Sequence, residues 1–229
     1  MASALRSLPT QCLVMVVDDG SPEWKETSWA EFPSSRLVLH HFPKNDRNLT
    51  RSWNWGLLTA RELGLTYAVA GNSDVRYPLR WWEAMEAVLD DGTVALAGPM
   101  TNAPGHRPRQ KVTEVLKGYE LRDDDAYLDG VSEKLLKLSP RGVKTCKVNG
   151  FCMAARVDTW WRGAFDAAHV FNPGDKFKLT RNEDELQGRW DRLGLTQGAV
   201  RGSFVFHYRG VSRKGATSGP AGKGHFRPK

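Results

Sequence analysis

Carboxylates close apolar runs of strand length twice in the first third of this chain, Asp18 and Asp19 directly in VVDDGS and Asp74 after Asn72 and Ser73 in VAGNSD. A third cluster, NEDEL, sets Glu183, Asp184 and Glu185 side by side, and His207 follows the apolar run of FVFHYRG. An aspartate at a strand end can accept the imide N–H of a uracil or thymine ring, and Gly20 lets the backbone turn tightly behind it. A carboxylate beside a diphosphate repels it unless a hard cation lies between them. Mg²⁺ and Mn²⁺ serve there, because they take oxygen ligands from a few carboxylates and from the phosphates themselves. Asp74 suits that role, and His207 could add a second ligand, imidazole favouring Mn²⁺ over Mg²⁺. Adjacent residues do not share a helix face, so one acid of NEDEL can enter a cleft and take a proton from an attacking hydroxyl. Each cluster also has a plainer reading: a strand-to-loop turn, a turn acid before Pro78, solvated first-turn acids, a hydrogen-bonded core histidine. Residue type alone leaves both readings open.

The elements that would position these groups follow from periodicity. CLVMVV (12–17) is a continuous apolar run that reads as a strand buried on both faces, which favours a parallel sheet. RLVLHHF (36–42) is a second strand, SWNWGLLTARELG (52–64) an amphipathic helix ending at Gly64, and TYAVAGNSD (66–74) a third strand. PLRWWEAMEAVLDDG (78–92) has Pro at a helix start and Gly after its end, and TVALAGPM (93–100) is a fourth strand. This order predicts an α/β layered fold, Rossmann-like, with a mainly parallel central sheet and helices on both faces. Such sheets bind ligands beyond the carboxyl ends of their strands, where DDGS and NSD both fall.

Beyond residue 100 the expected pattern is a polar loop (101–111), a partly helical stretch with an acid-rich break at 123–125, and a strand with a helical turn within 144–162. A basic loop (172–180), a helix over 182–194 with acids in its first turn, and a closing strand SFVFHYRG complete it. Residues 1–11 read as the last turns of a helix stopped before Pro9. Six of the nine tryptophans, Trp53, Trp55, Trp81, Trp82, Trp160 and Trp161, are expected to be mostly core, with stacking of one or two on a sugar or base as the alternative.

The chain of 229 residues carries a net charge of +7, which calls for an anionic partner without choosing it. No nucleic-acid module is recognisable, so nucleic acid is not expected. No apolar stretch is long enough to span a membrane, and the first ten residues lack a secretory core. Cys12, Cys146 and Cys152 match no metal spacing, which leads to the expectation of a reducing, cytoplasmic setting. One domain is expected over 1–212, followed by a basic Gly- and Pro-rich tail, 213–229, that either solubilises the chain or draws it to an anionic membrane surface. Arg51, Lys176, Lys178, Arg181, Arg209, Arg213 and Lys214 are candidates for pairing with phosphate.

In order along the chain, VVDDGS, NLTRSWNWGLLTA, VAGNSDV, VNGFCMAAR, FNPGDKFKLTRNEDELQGRW and FVFHYRGVS resemble the family 2 glycosyltransferases of GT-A fold, from about Ala4 to Ser212. The resemblance implies that Asp18 and Asp19 lie beside the nucleotide base and that Asn48 and Asn54 shape the donor site. Asn72, Ser73 and Asp74 match the metal motif in its variant with Asn first, Asp74 touching metal and diphosphate. Gly150 falls on the way to the acceptor side, Glu183 and Asp184 match the acidic pair with Asp184 as general base, and His207 matches a histidine near the metal. It further implies inverting transfer of a sugar from a UDP- or dTDP-linked donor to a glycan or lipid-linked acceptor, with Mn²⁺ or Mg²⁺. The family's opening strand and most of its first helix are not matched. An edge left beside CLVMVV would need cover, for which a partner chain is one expectation. Two rival readings are an accessory glycosyltransferase-like subunit and a sugar-phosphate nucleotidyltransferase, the latter lacking its Gly-rich, Lys-containing loop.

Overall fold

The structure is a computed structural model that describes residues 8, 11–22, 24, 33–44 and 46–208. The expected opening helix and the tail 213–229, with Arg209, Arg213 and Lys214, lie outside the described residues.

The described chain runs β1 (Val14–Asp18), β2 (Leu37–His41), α1 (Leu49–Glu62), β3 (Tyr67–Gly71), β4 (Val75–Arg76), α2 (Glu83–Asp90) and β5 (Leu96–Met100). It continues through α3 (Asp125–Leu138), β6 (Val143–Thr145), β7 (Cys152–Arg156), α4 (Val157–Arg162), α5 (Asn182–Arg192), β8 (Gln197–Phe204) and β9 (Phe206–His207). A five-stranded sheet has the order β3-β7-β5-β8-β6, while β1 pairs with β2 and β4 with β9 in separate ladders.

The α/β architecture with helices on both faces is as expected. Alternation along the strands supplies the two faces. Ala70, Leu96, Met153 and Ala155 meet Trp53 and Leu57 of α1, Trp160 of α4, and Leu186 and Trp190 of α5. Ala97, Cys152, Ala154 and Val200 point the other way, onto Ala84, Met85 and Val88 of α2. Helix α3 lays Leu128, Val131 and Leu135 against Met100, Ala199 and Phe204. Trp53, Trp81 and Trp160 are buried and Trp55, Trp82 and Trp161 half-buried, in line with a core role for most.

The central sheet is mixed, which corrects the expectation of mainly parallel strands. Strands β5 and β8 run parallel, as do β1 and β2. β7 is antiparallel to both of its neighbours, and β6 to β8. Continuous apolar runs report burial on both faces and not strand direction, and helices cover both faces of antiparallel strands here too.

β8 begins at Gln197, well before SFVF, and the closing segment is not one strand. Gly198 and Gly202 break its apolar pattern, and both are required. A Cβ on Gly202 would meet the Ser139 main chain and come within 3.0 Å of the Ala84 Cβ. After Phe204 the chain leaves the main sheet, Val205 donates its N–H to the Met100 carbonyl (3.0 Å), and β9 turns to pair with β4. Among the described residues no helix is long and apolar enough to cross a membrane.

Candidate functional site

β3 delivers Asn72, Ser73 and Asp74 to the carboxyl end of the sheet, where the Asn72 N–H donates to the Phe151 carbonyl (2.9 Å). Two ladder rungs, Val75 with His207 and Arg76 with Phe206, then place His207 beside Asp74. His207 Nε2 and Asp74 Oδ1 are 3.4 Å apart, with the side chains only 11% and 8% exposed.

The imidazole is fixed from several directions. His207 N–H donates to Asn102 Oδ1 (2.8 Å), and Asn102 Nδ2 donates back to the His207 carbonyl (3.0 Å). The ring stacks on Phe151 at 5.1 Å and 17°. Its Nδ1 lies 3.1 Å from the Ala103 carbonyl oxygen. A carbonyl only accepts, so Nδ1 carries the proton, and in the neutral ring Nε2 turns a lone pair toward the Asp74 carboxylate. Two acceptors facing each other are stabilised by a proton on Nε2 or by a cation between them. An imidazole steadied through its other nitrogen by a backbone carbonyl is how proteins orient a metal ligand. One carboxylate oxygen and one imidazole nitrogen are donor types that could serve Mn²⁺. Among the described residues no group of three or more His, Cys, Asp or Glu could hold a metal.

At the end of β1 the two aspartates diverge. Asp18 Oδ2 accepts from Gly20 N (2.9 Å), Ser21 N (2.7 Å) and His41 Nδ1 (2.8 Å), with Gly20 at φ 82°. Burial pushes the Asp18 carboxyl up, but the hydrogen bonds from Ser21, His41 and Gly20 outweigh it and hold the group below its ordinary value. Asp19 turns toward α1, accepting the Asn48 N–H and pairing with the Arg51 guanidinium. Asn48 caps α1 by accepting the Arg51 N–H (2.9 Å). Arg51 also pairs with Asp46 (2.9 Å) and sits 3.9 Å over the Phe42 ring. Asp19, Asn48 and Arg51 thus buckle β1 to the start of α1.

Asn54 lies one turn further along α1 and is buried. Its Nδ2 donates to the Phe171 carbonyl (2.9 Å) and its Oδ1 accepts the Phe171 N–H (2.8 Å), as a neighbouring strand would. It ties α1 to Phe171.

The starts of α1 and α5 abut. Thr50 donates its N–H to the Lys178 carbonyl (3.1 Å) and its hydroxyl to the Phe177 carbonyl (2.6 Å), and accepts from Asn182 Nδ2 (3.0 Å). The three acids of α5 part, as adjacent helical residues must. Glu185 turns back to Arg189 (2.8 Å), and Asp184 pairs with Arg107 of the loop after β5. Glu183 packs beside Gly150, where an added Cβ would lie 3.1 Å from the Trp53 ring and 3.4 Å from the Glu183 carboxyl carbon. Asn149, next to it, donates its N–H to Gln110 Oε1 (2.6 Å) and its Nδ2 to the Pro104 carbonyl (3.1 Å), locking this turn to the same loop.

A line of contacts therefore runs from Asp19 through Asn48, Thr50 and Asn182 to Glu183, and on through Gly150 and Phe151 to His207 and Asp74. These groups rim one end of the sheet. Two open depressions, of about 270 and 230 Å³, lie at the other end around Gly194, Leu195 and Thr196, and none of the sequence-predicted site residues lines them. Sequence reasoning missed His41, Asn102, Arg107 and Phe151. The only signal was that Asn102 and Arg107 lie in a long polar loop after a strand. Of the expected phosphate partners, Arg51 is held in the Asp19 buckle and Lys178 pairs with Asp175 (2.9 Å).

The layered sheet and the ends of its strands define a GT-A-like fold. No family model matches the chain, and no curated protein matches it in sequence. A solved structure of similar fold is GalNAc-T7, a GT-A glycosyltransferase, crystallised with UDP, GalNAc and Mn²⁺. The TM-score is 0.58 at 12% identity, over 90% of this chain and 39% of that one. At this identity the likeness establishes the fold and does not single out family 2 among GT-A enzymes.

Proposed function

We propose that this chain is a glycosyltransferase that moves a sugar from a UDP- or dTDP-linked donor to a hydroxyl of a glycan or lipid-linked acceptor. The observation that carries this reading is the Asp74–His207 pair standing at the same sheet end as the acids that open α5. The UDP and Mn²⁺ in the GalNAc-T7 structure support a nucleotide-sugar donor and a divalent cation for this fold.

In this reading the donor lies across the strand ends, with Asp18 and Asp19 beside the base. Asn48 and Asn54 set the position of α1 along the donor, and Asn72 lines its phosphate side. Asp74 and His207 would hold Mn²⁺ or Mg²⁺, which when bound screens the diphosphate and its charge as it departs. Asp184 acts as general base. Arg107 holds its Oδ1, which orients the carboxylate and leaves Oδ2 to take the proton of the acceptor hydroxyl. The acceptor oxygen forms the new bond to the anomeric carbon as the bond to the diphosphate breaks, and the bonding pair leaves on phosphate. A single displacement inverts the anomeric centre. Glu183 flanks this path from the Gly150 side. The net charge of +7 would favour an acceptor held near an anionic surface.

The test is to incubate the purified chain with a panel of nucleotide sugars, with and without Mn²⁺, and to measure released nucleoside diphosphate. Release that depends on the metal and disappears in Asp74→Ala is expected. A folded protein that binds no nucleotide sugar would favour an accessory subunit.

A further inference from the structure

Resting on the donor placement just proposed, the geometry points to His41, and not the Asp18 carboxylate, as the group that reads the nucleotide base. His41 would select the imide of uracil or thymine, with Asp18 as its positioning residue.

Asp18 and His41 form the last rung of the parallel β1–β2 ladder, so both end at the same edge. The turn occupies one oxygen of the carboxylate: Gly20 N, Ser21 N and His41 Nδ1 all donate to Oδ2. Exposure separates the two side chains, 14% for Asp18 against 33% for His41. The acid is folded into its own turn, and the imidazole edge is what meets a ligand.

The chemistry of that edge follows from its partner. A carboxylate only accepts, so the proton sits on His41 Nδ1, and in the neutral ring Nε2 keeps its lone pair for another partner. The ring plane is set as well, stacked on Trp24 at 5.6 Å and 14°, and the Trp24 N–H donates to the Ser21 carbonyl (3.1 Å) in the same turn. Among the described residues, two neighbouring polar groups are turned elsewhere. His40 stacks on Trp55 at 4.2 Å, and Arg51 is held in the Asp19 buckle. A fixed acceptor matches the N3–H of uracil or thymine. Cytosine presents its own lone pair at N3 and is rejected, as sites built around one hydrogen bond reject partners lacking it.

Calorimetric titration of the whole chain with UDP, dTDP, CDP, ADP and GDP in Mn²⁺ tests this. The wild type is expected to prefer UDP and dTDP over CDP by about tenfold or more, the scale of one well-formed hydrogen bond. His41→Phe keeps the ring stacked on Trp24 but has no Nε2. It should weaken UDP by about tenfold, leave CDP unchanged, and so erase the preference. Asp18→Asn, which still accepts from Nδ1, should retain the preference that Asp18→Ala loses. A His41→Phe protein that still prefers UDP overturns the assignment while leaving the nucleotide-sugar reading intact, as does a wild type that binds every base equally. A wild type that binds none of the five nucleotides removes both.

Discussion

Asp74 Oδ1 and His207 Nε2 meet at 3.4 Å because a ladder of only two rungs joins the turn after β3 to the end of the described chain. With Nδ1 committed to the Ala103 carbonyl, the pair is built to share a positive species. Mn²⁺ titration followed by electron paramagnetic resonance, in the presence of UDP, should therefore show at least tenfold weaker binding in Asp74→Asn and in His207→Ala. The double variant should lose little more than either single one, since one cation links them. Unchanged Mn²⁺ affinity in both would remove the metal from this pair.

Asp18 predicts a pH dependence of stability. Its folded value is lowered by hydrogen bonds that outweigh burial, so the stabilisation is complete above the ordinary aspartate value, about 3.9, and is lost as pH falls through the lower folded value. At pH 7, Asp18→Ala should cost about 1–3 kcal/mol in urea unfolding. That difference should shrink only below about pH 4. A difference constant from pH 7 to pH 2 would show that the ionised carboxylate contributes nothing.

Asn54 should be among the most sensitive polar positions. Asn54→Ala leaves both main-chain groups of Phe171 without their partner in a buried setting, at about 2–4 kcal/mol in chemical denaturation. Asn54→Asp cannot donate to the carbonyl and should be no milder.

Gly150→Ala tests the packing between α1 and α5. The new methyl would stand 3.1 Å from the Trp53 ring, so the neighbours must shift by a few tenths of an ångström. A loss of about 1 kcal/mol is expected, and Gly150→Val should cost more than Gly150→Ala. On the reading of Glu183 as a flank of the reaction path, Gly150→Ala should also slow transfer more than it weakens donor binding.

How far the sequence could reveal all this depends on the range of the interaction. β1, α1, β3 and α5 are legible because their apolar spacing is local, and the divergence of Glu183, Asp184 and Glu185 follows from helical geometry alone. β4 and β6 span two and three residues and exist through tertiary pairing, so no local pattern marks them. β8 hides behind glycines demanded by its neighbours, and strand direction leaves no trace in burial. Within the site, the acids were visible and their partners were not. That Asp19 answers Arg51, that Asp184 answers Arg107, and that Asp18 answers His41 depends on which loops the fold brings together.

The central claim is that acids at one sheet end act on one nucleotide sugar, and paired assays of Asp184→Asn test it most directly. Donor binding by calorimetry and sugar transfer by nucleoside diphosphate release should separate. Asp184→Asn is predicted to bind the donor within about threefold of wild type and to lose at least a hundredfold in transfer, the range of a general base. Transfer by Asp184→Asn at the wild-type rate, alongside intact donor binding, would contradict the account.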